Sequence, residues 1–104
     1  MGLFSKKKVK GTPLKEIEGF HGKRLSYVVE RFGGDEEVIG KTGGISVDAD
    51  NGKLTIVCNG KPIVDLSLDG LICAELMSHN GADIKGEDLS GKQRHIVVHY
   101  SSLK

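Results

Sequence analysis

The sequence predicts an all-β domain of six or seven antiparallel strands, arranged as a small barrel or a two-layer meander. Turn-forming pairs recur every eight to eleven residues from position 33 onward, the spacing of short strands joined by hairpins. Apolar and polar residues alternate between those turns, as in strands with one buried face. Glycine is abundant, at 15 of 104 residues, against only 2 prolines. These observations favour many short elements over a few long helices.

The turn-forming pairs divide residues 33–104 into candidate strands. The pairs are Gly33-Gly34, Gly43-Gly44, Asn51-Gly52, Asn59-Gly60, Asp69-Gly70, Asn80-Gly81 and Ser90-Gly91. Asn-Gly and Asp-Gly suit a type I′ turn, because both of its central residues take positive φ. The strands predicted between the pairs are 36–42, 44–49, 53–58, 62–68, 71–78, 82–88 and 93–100.

Residues 1–13, MGLFSKKKVKGTP, are expected to form a flexible basic leader ahead of a single domain at 14–104. The residues with which this leader could touch an anionic membrane are Leu3, Phe4, Lys6, Lys7 and Lys8. Each lysine near such a surface contributes up to about 1 kcal/mol. A solvated leader is the favoured interpretation, so a membrane surface is not the expected partner.

The segment 14–32 mixes two patterns. Leu14 and Ile17 have helical spacing, but Gly19 and Gly22 interrupt it, each costing about 1 kcal/mol in a helix interior. We therefore predict one short helical turn at 14–19, with an irregular segment as the alternative. Residues 24–32 are rich in strand-favouring types and are predicted as a strand, with a helix as the alternative.

Four strands are predicted to stack their apolar residues in one layer. These residues are Ile45, Val47 and Ala49; Leu54, Ile56 and Cys58; Val64, Leu66 and Leu68; Ile96, Val98 and Tyr100. Polar residues occupy most of the alternate positions, which is typical of half-buried antiparallel strands.

The second face of the sheet is predicted to be semi-apolar and to form the binding surface. Keeping Glu75 in water places Leu71, Cys73 and Met77 on the same outer side, and Val97 adds to that side. The 14–24 segment, the curl of a barrel or another subunit would cover such a face.

Charge and cysteine content exclude several classes of function. Residues 1–24 carry seven Lys or Arg against two acids, a net charge of +5, whereas residues 25–104 carry eight against twelve, a net charge of −4. The domain therefore lacks the basic face that nucleic-acid binding needs. No secretory signal precedes Cys58 and Cys73, and no run reaches the ~20 apolar residues of a membrane span. A reducing cytoplasm with two free thiols is expected.

Motifs that could carry chemistry are incomplete. Gly40-Lys41-Thr42 resembles the end of a phosphate-binding loop but lacks its first glycine and the helix that follows. The stretch 48–52 resembles the start of a calcium loop but lacks its later glycine and glutamate. His95 and His99 lie ~13 Å apart on a strand, too far to chelate one ion. No catalytic residue, metal or cofactor is predicted.

Glu75 interrupts an otherwise apolar strand and leaves two interpretations open. It could pair with Arg94 across the sheet. Alternatively, a small enzyme or ligand-binding barrel could use Glu75 together with a histidine, namely His79, His95 or His99. A lone carboxylate is weak support for general acid–base chemistry, which normally needs a second group.

The order of strands and turns from Asn51 to Tyr100 resembles the strand-rich body of bacterial pleckstrin-homology-like domains. The chain differs from that family in ending at 101–104 without its C-terminal helix. The stretch AELMSHNGADIKGEDLSGKQRHIVVHY is also similar to small uncharacterised bacterial proteins. Neither resemblance transfers a functional residue to this chain.

Together these patterns predict a small cytoplasmic protein that acts as a non-catalytic binding or assembly module. It would use the semi-apolar sheet face or a strand edge to contact a protein partner or a second copy of itself. The alternative is the small enzyme or ligand-binding barrel built around Glu75.

Overall fold

A computed structural model of the chain describes residues 11–101. The leader residues Leu3, Phe4, Lys6, Lys7 and Lys8 lie outside the described residues. Within the described part there are one helix and seven strands: α1 (Leu14–Glu18), β1 (Arg24–Phe32), β2 (Asp35–Asp48), β3 (Lys53–Cys58), β4 (Lys61–Ser67), β5 (Ile72–Glu75), β6 (Gly81–Glu87) and β7 (Gln93–Tyr100). The all-β prediction is confirmed, as are the short helix and the strand at 24–32.

The seven strands form one antiparallel sheet in the order β4-β3-β2-β1-β7-β6-β5. Consecutive strands pair as hairpins except β4 and β5, and β1 pairs with β7. The sheet is not closed, because β4 and β5 are its two edges. A single bridge joins Leu66 of β4 to Asp88, just after β6. The chain therefore folds as an open, barrel-like meander.

The predicted turn at Gly43-Gly44 is wrong, because β2 continues through it as one strand of 14 residues. Its first part pairs with β1 and its last part, from Gly43, pairs with β3. The chain bends at this point without reversing. A Cβ atom on Gly43 would lie 1.8 Å from the carbonyl oxygen of Val57, so the close approach of β3 requires glycine. Thr42, next to it, has a φ of 52°.

The β3–β4 hairpin shows why most of the other turn predictions succeed; at the predicted Asn80-Gly81 the turn comes earlier, since His79 takes positive φ and Gly81 begins β6. Asn59 and Gly60 have φ values of 54° and 77°, which is the geometry of a type I′ turn. Gly52, Gly70 and Gly91 also take positive φ at their turns. Gly52 and Gly91 lie in hairpins, whereas Gly70 lies in the connection between β4 and β5, which do not pair.

The inner face of the sheet forms a single hydrophobic core. Its buried members from the predicted layer are Ile45, Leu54, Ile56, Cys58, Val64, Leu66, Ile96 and Val98. Ile17 of α1 and Phe20, just after it, pack against the same core. The short helix therefore covers part of the core, and its own five residues would not be stable without that contact.

The predicted outward placement of Leu71 and Cys73 is wrong. Leu71 is fully buried and Cys73 is 7% exposed, and both belong to the core. Ile72 and Ala74 alternate with them and face solvent. Strand β5 ends at Glu75, where the chain turns. Glu75 is therefore exposed although Leu71 and Cys73 are buried. Met77 lies beyond the strand and is 97% exposed.

A cluster of charges links β1, β7 and the β6–β7 turn. Glu30 is 6% exposed and lies on the same side of β1 as the core residue Val28. Its carboxylate accepts two hydrogen bonds from the Arg94 guanidinium, the one from Nη2 at 2.8 Å. Arg94 also donates to Asp88 at 3.0 Å. The predicted pairing of Arg94 with Glu75 is therefore wrong.

Asp88 also organises the turn that follows it. One carboxylate oxygen accepts hydrogen bonds from the Ser90 hydroxyl and from the backbone N–H groups of Ser90 and Lys92. These hydrogen bonds hold the pKa of Asp88 well below its usual range, and the one from the Ser90 hydroxyl has the largest effect. The hydrogen bond from Arg94 also lowers this pKa. The Asp88 side chain thus fixes the turn, and its backbone forms the bridge to β4.

Candidate binding surface

Two valines on the outer side of the sheet are buried without joining the core. Val29 of β1 and Val97 of β7 are 7% and 8% exposed. They are directly opposite each other, and they alternate with the core residues Val28 and Val98. Val38 of β2 lies opposite Val29 and is 51% exposed. A row of three valines therefore crosses the outside of three adjacent strands.

A flat pair of rings lies beside the valine row. Tyr27 and His99 are opposite each other on β1 and β7, and their rings stack with centroids 4.3 Å apart and an interplanar angle of 14°. Tyr27 is 37% exposed. We call the five residues Tyr27, Val29, Val38, Val97 and His99 the outer patch. It combines exposed apolar surface with a stacked ring pair, which are typical features of protein-binding surfaces.

Polar side chains border the outer patch. Asp83 on β6 extends the valine row, and its Oδ1 accepts a hydrogen bond of 2.7 Å from Nε2 of His95. Arg31 on β1 forms a 3.2 Å ion pair with Glu36. Lys41 on β2 lies opposite Tyr27 and is exposed. The apolar centre and polar rim match the general anatomy of an interface.

A shallow groove of about 590 Å³ continues the same outer face beyond His95. It is lined by Asp69, Gly70, Ile72, Lys85, Gly86, Glu87 and Gln93. Ile72 is 37% exposed and lies opposite Lys85. The groove extends the surface available to a partner toward strand β5.

A second concave region of about 480 Å³ lies between α1 and β5, and we call it the helix cleft. Glu16, Phe20, Lys23, Cys73 and Glu75 are among its lining residues. Nδ1 of His79 lies 3.3 Å from the Glu75 carboxylate, and their side chains are 80% and 44% exposed. Glu75 is therefore an accessible carboxylate with one histidine partner.

Tyr100 lies close to the helix cleft. The Lys23 ammonium is 5.0 Å from the centre of its ring. Its hydroxyl is buried and forms no hydrogen bond of good geometry within residues 11–101. Burial, and next the nearby Glu75 carboxylate, raises the pKa of Tyr100 to about 12. The phenol is therefore neutral at physiological pH and cannot act as a base.

The structure separates the predicted site residues. Val97 lies in the outer patch, whereas Leu71 and Cys73 are in the core. Glu75 lines the helix cleft, and Met77 is in an exposed turn. Of the three histidines considered for Glu75, only His79 contacts it, since His95 bonds Asp83 and His99 stacks on Tyr27.

Most of the outer patch was not predicted from the sequence. Tyr27 and Val29 were predicted only as part of the strand at 24–32, and Val38 only as part of the strand at 36–42. The adjacent pairs Val28-Val29 and Val97-Val98 carry the available signal, because two consecutive valines in a strand place one on each face. The strand order that unites these faces is not visible in the sequence.

Both cysteines are free and buried. Burial raises the pKa of Cys58, and it raises the pKa of Cys73 to about 12. Neither thiol is therefore an activated nucleophile. Within residues 11–101, no three His, Cys, Asp or Glu side chains are placed to hold a metal ion. The helix in the same part of the chain is too short to cross a membrane.

The fold and the outer patch define a small, open antiparallel β domain with a semi-apolar outer face. Comparison of the chain with family models, with curated proteins and with solved structures finds no match. The function must therefore be argued from the surface itself.

Proposed function

We propose that this protein is a non-catalytic binding and assembly module of the cytoplasm, and that its outer patch contacts a protein partner. The observation that carries the proposal is the exposed apolar surface beside the buried pair Val29 and Val97: Val38 is 51% exposed and Tyr27 is 37% exposed, and neither belongs to the core. A partner that packs there removes this surface from water.

The partner is a different protein or a second copy of this chain. Sedimentation equilibrium at about 10 μM and about 1 mM separates the two cases, because self-association through a small patch depends on concentration. A monomer at both concentrations leaves the different protein as the partner.

The docking site is tested with peptides selected from a random display library on the immobilised full-length chain. NMR chemical-shift changes then locate the bound peptide. We expect the changes to centre on Tyr27, Val38 and His99, and Val38→Asp to abolish binding, because it places a charge in the apolar row. The matched control is Leu89→Asp, since Leu89 is 61% exposed but lies in the β6–β7 turn. Shifts centred elsewhere, or equal effects of the two variants, would refute the proposal.

A second candidate function is small-ligand binding or catalysis at the helix cleft. The contact between Glu75 and His79 beside a concave region supports it. An NMR screen of amino acids, amines and polyols tests it, with Glu75→Gln as the variant. Hits that shift Phe20, Lys23 and Tyr100 and disappear in Glu75→Gln support a site there. A screen without such hits removes this candidate.

A further inference from the structure

The described part of the chain begins against the edge strand β5. The Thr12 N–H group donates a hydrogen bond of 2.8 Å to the Leu71 carbonyl oxygen. The Thr12 hydroxyl donates to the Cys73 carbonyl oxygen at 3.2 Å and accepts from the Cys73 N–H group at 2.8 Å. Thr12 thus binds backbone groups that an edge strand otherwise leaves unpaired. These contacts fix the point from which residues 1–10 extend.

Gly11 directs the residues before it toward the groove beside β5. A Cβ atom on Gly11 would lie 2.8 Å from the Leu71 carbonyl oxygen and 2.9 Å from the carbonyl carbon of Gly70. Since Thr12 contacts Cys73 and Gly11 lies against Gly70, the chain followed backward runs from Cys73 toward Gly70. Gly70 lines the groove. Three extended residues span about 10 Å, so residues 8–10 are long enough to enter the groove.

The groove combines an exposed apolar side chain with two carboxylates. Ile72 is 37% exposed there. Asp69 and Glu87 line the same groove, and neither forms an ion pair with another residue in the range 11–101. Lys85 is the cation among the lining residues, so the carboxylates outnumber it two to one. This chemistry suits a segment that carries lysines.

We propose that the segment Lys8-Val9-Lys10 of this chain occupies the groove, with its two lysines paired to Asp69 and Glu87. Residues 1–10 carry four lysines and no acid. In an extended segment alternate residues share a side, so both lysines of the segment face the groove together. Their methylene stems cover Ile72 while their ammonium groups reach the carboxylates. This inference does not rest on the proposed function, because the outer patch stays open to a partner.

NMR of the full chain tests whether the segment is held in the groove. Relaxation of ¹⁵N gives backbone order parameters, which are about 0.85 in rigid backbone and below about 0.6 in flexible backbone. We expect values near 0.85 at residues 8–10, and nuclear Overhauser effects between their lysine side chains and the Ile72 methyl groups. High salt should lower these order parameters, because the ion pairs are near the surface.

Charge reversal of the groove provides the decisive variant. Asp69→Lys with Glu87→Lys should lower the order parameters of residues 8–10 below about 0.6 and remove the contacts with Ile72. The matched control, Asp35→Lys with Glu37→Lys, changes two exposed carboxylates at the start of β2 and should alter neither observation. Adding Lys8→Glu and Lys10→Glu to the groove variant should restore both.

A variant outside the folded range guards against misfolding of the groove variant. Lys8→Glu with Lys10→Glu alone changes no residue in the range 11–101 and should also lower the order parameters of residues 8–10. Order parameters below about 0.6 in the unaltered chain, or values that neither double variant changes, would overturn the inference. Chemical shifts of groove residues that depend on protein concentration would also overturn it, because the occupant would then be a second copy.

Discussion

Removal of the Glu30 carboxylate should destabilise this protein far more than removal of an exposed carboxylate on the same hairpin. Glu30 is nearly buried and is bound in a bidentate manner by Arg94, whose side chain is 19% exposed. Loss of one partner of a buried ion pair costs about 3–5 kcal/mol, because the remaining charge stays buried without compensation. Arg94 keeps Asp88, so the lower end of this range, about 3 kcal/mol, is expected for Glu30→Ala.

The matched control is Glu36→Ala. Glu36 forms an ion pair with Arg31, but the two side chains are 56% and 45% exposed. Such a pair contributes about 1 kcal/mol or less. Urea unfolding followed by far-UV circular dichroism measures both variants, and unchanged slopes would show that the comparison is valid. In thermal scans about 3 kcal/mol corresponds to roughly 12–24 °C for a domain of this size.

A double variant separates buried charge from lost packing. Glu30→Leu with Arg94→Met removes both charges and keeps apolar volume, so it should recover much of the stability that Glu30→Ala loses. If Glu30→Ala and Glu36→Ala differ by less than about 1 kcal/mol, the cluster is not structural. If the double variant is as unstable as Glu30→Ala, an unpaired charge is not the cause.

Three further predictions concern the cleft and the bend of β2. In a Tyr27→Phe background, phenolate absorbance near 295 nm should appear only near pH 12, because Tyr100 is the remaining tyrosine. Because the pKa of Tyr100 is raised in the folded protein, the contribution of this shift to stability is fully present below the unfolded pKa of about 10 and is lost as the pH rises toward 12. Ionisation of Tyr100 near pH 10 in the folded protein would contradict this. Gly43→Ala should lower the free energy of unfolding in urea by about 3 kcal/mol or more, since the new Cβ would meet the Val57 carbonyl. The control is Gly34→Ala, whose Cβ meets no atom within 4 Å and should change stability little. Thr42→Asn should raise the unfolding midpoint by an amount equivalent to about 0.5–1 kcal/mol, because Asn tolerates positive φ better than a β-branched residue; a lower midpoint would refute strain at this position.

The turn-forming residues made most of the strands predictable. The turn predicted at Gly43-Gly44 was wrong because these glycines serve close packing. Asn59-Gly60 reverses the chain because its own backbone preferences favour a type I′ turn. Gly43-Gly44 contains the same kind of residue for a different reason, namely the approach of Val57 from β3. A glycine that permits a turn and a glycine that permits a contact are identical in the sequence.

The sequence by itself determined the all-β class, the strand periodicity and the part of the inner layer that comes from β2, β3, β4 and β7, because turns and alternation are local properties of the chain. Only the tertiary structure decided which residues form the outer patch, which face of β5 is buried and which partner Arg94 takes. The outer patch and the partner of Arg94 depend on the pairing of β1 with β7, strands that are more than sixty residues apart in the chain. Such long-range pairing is set by the packing of the whole sheet, and no short pattern encodes it.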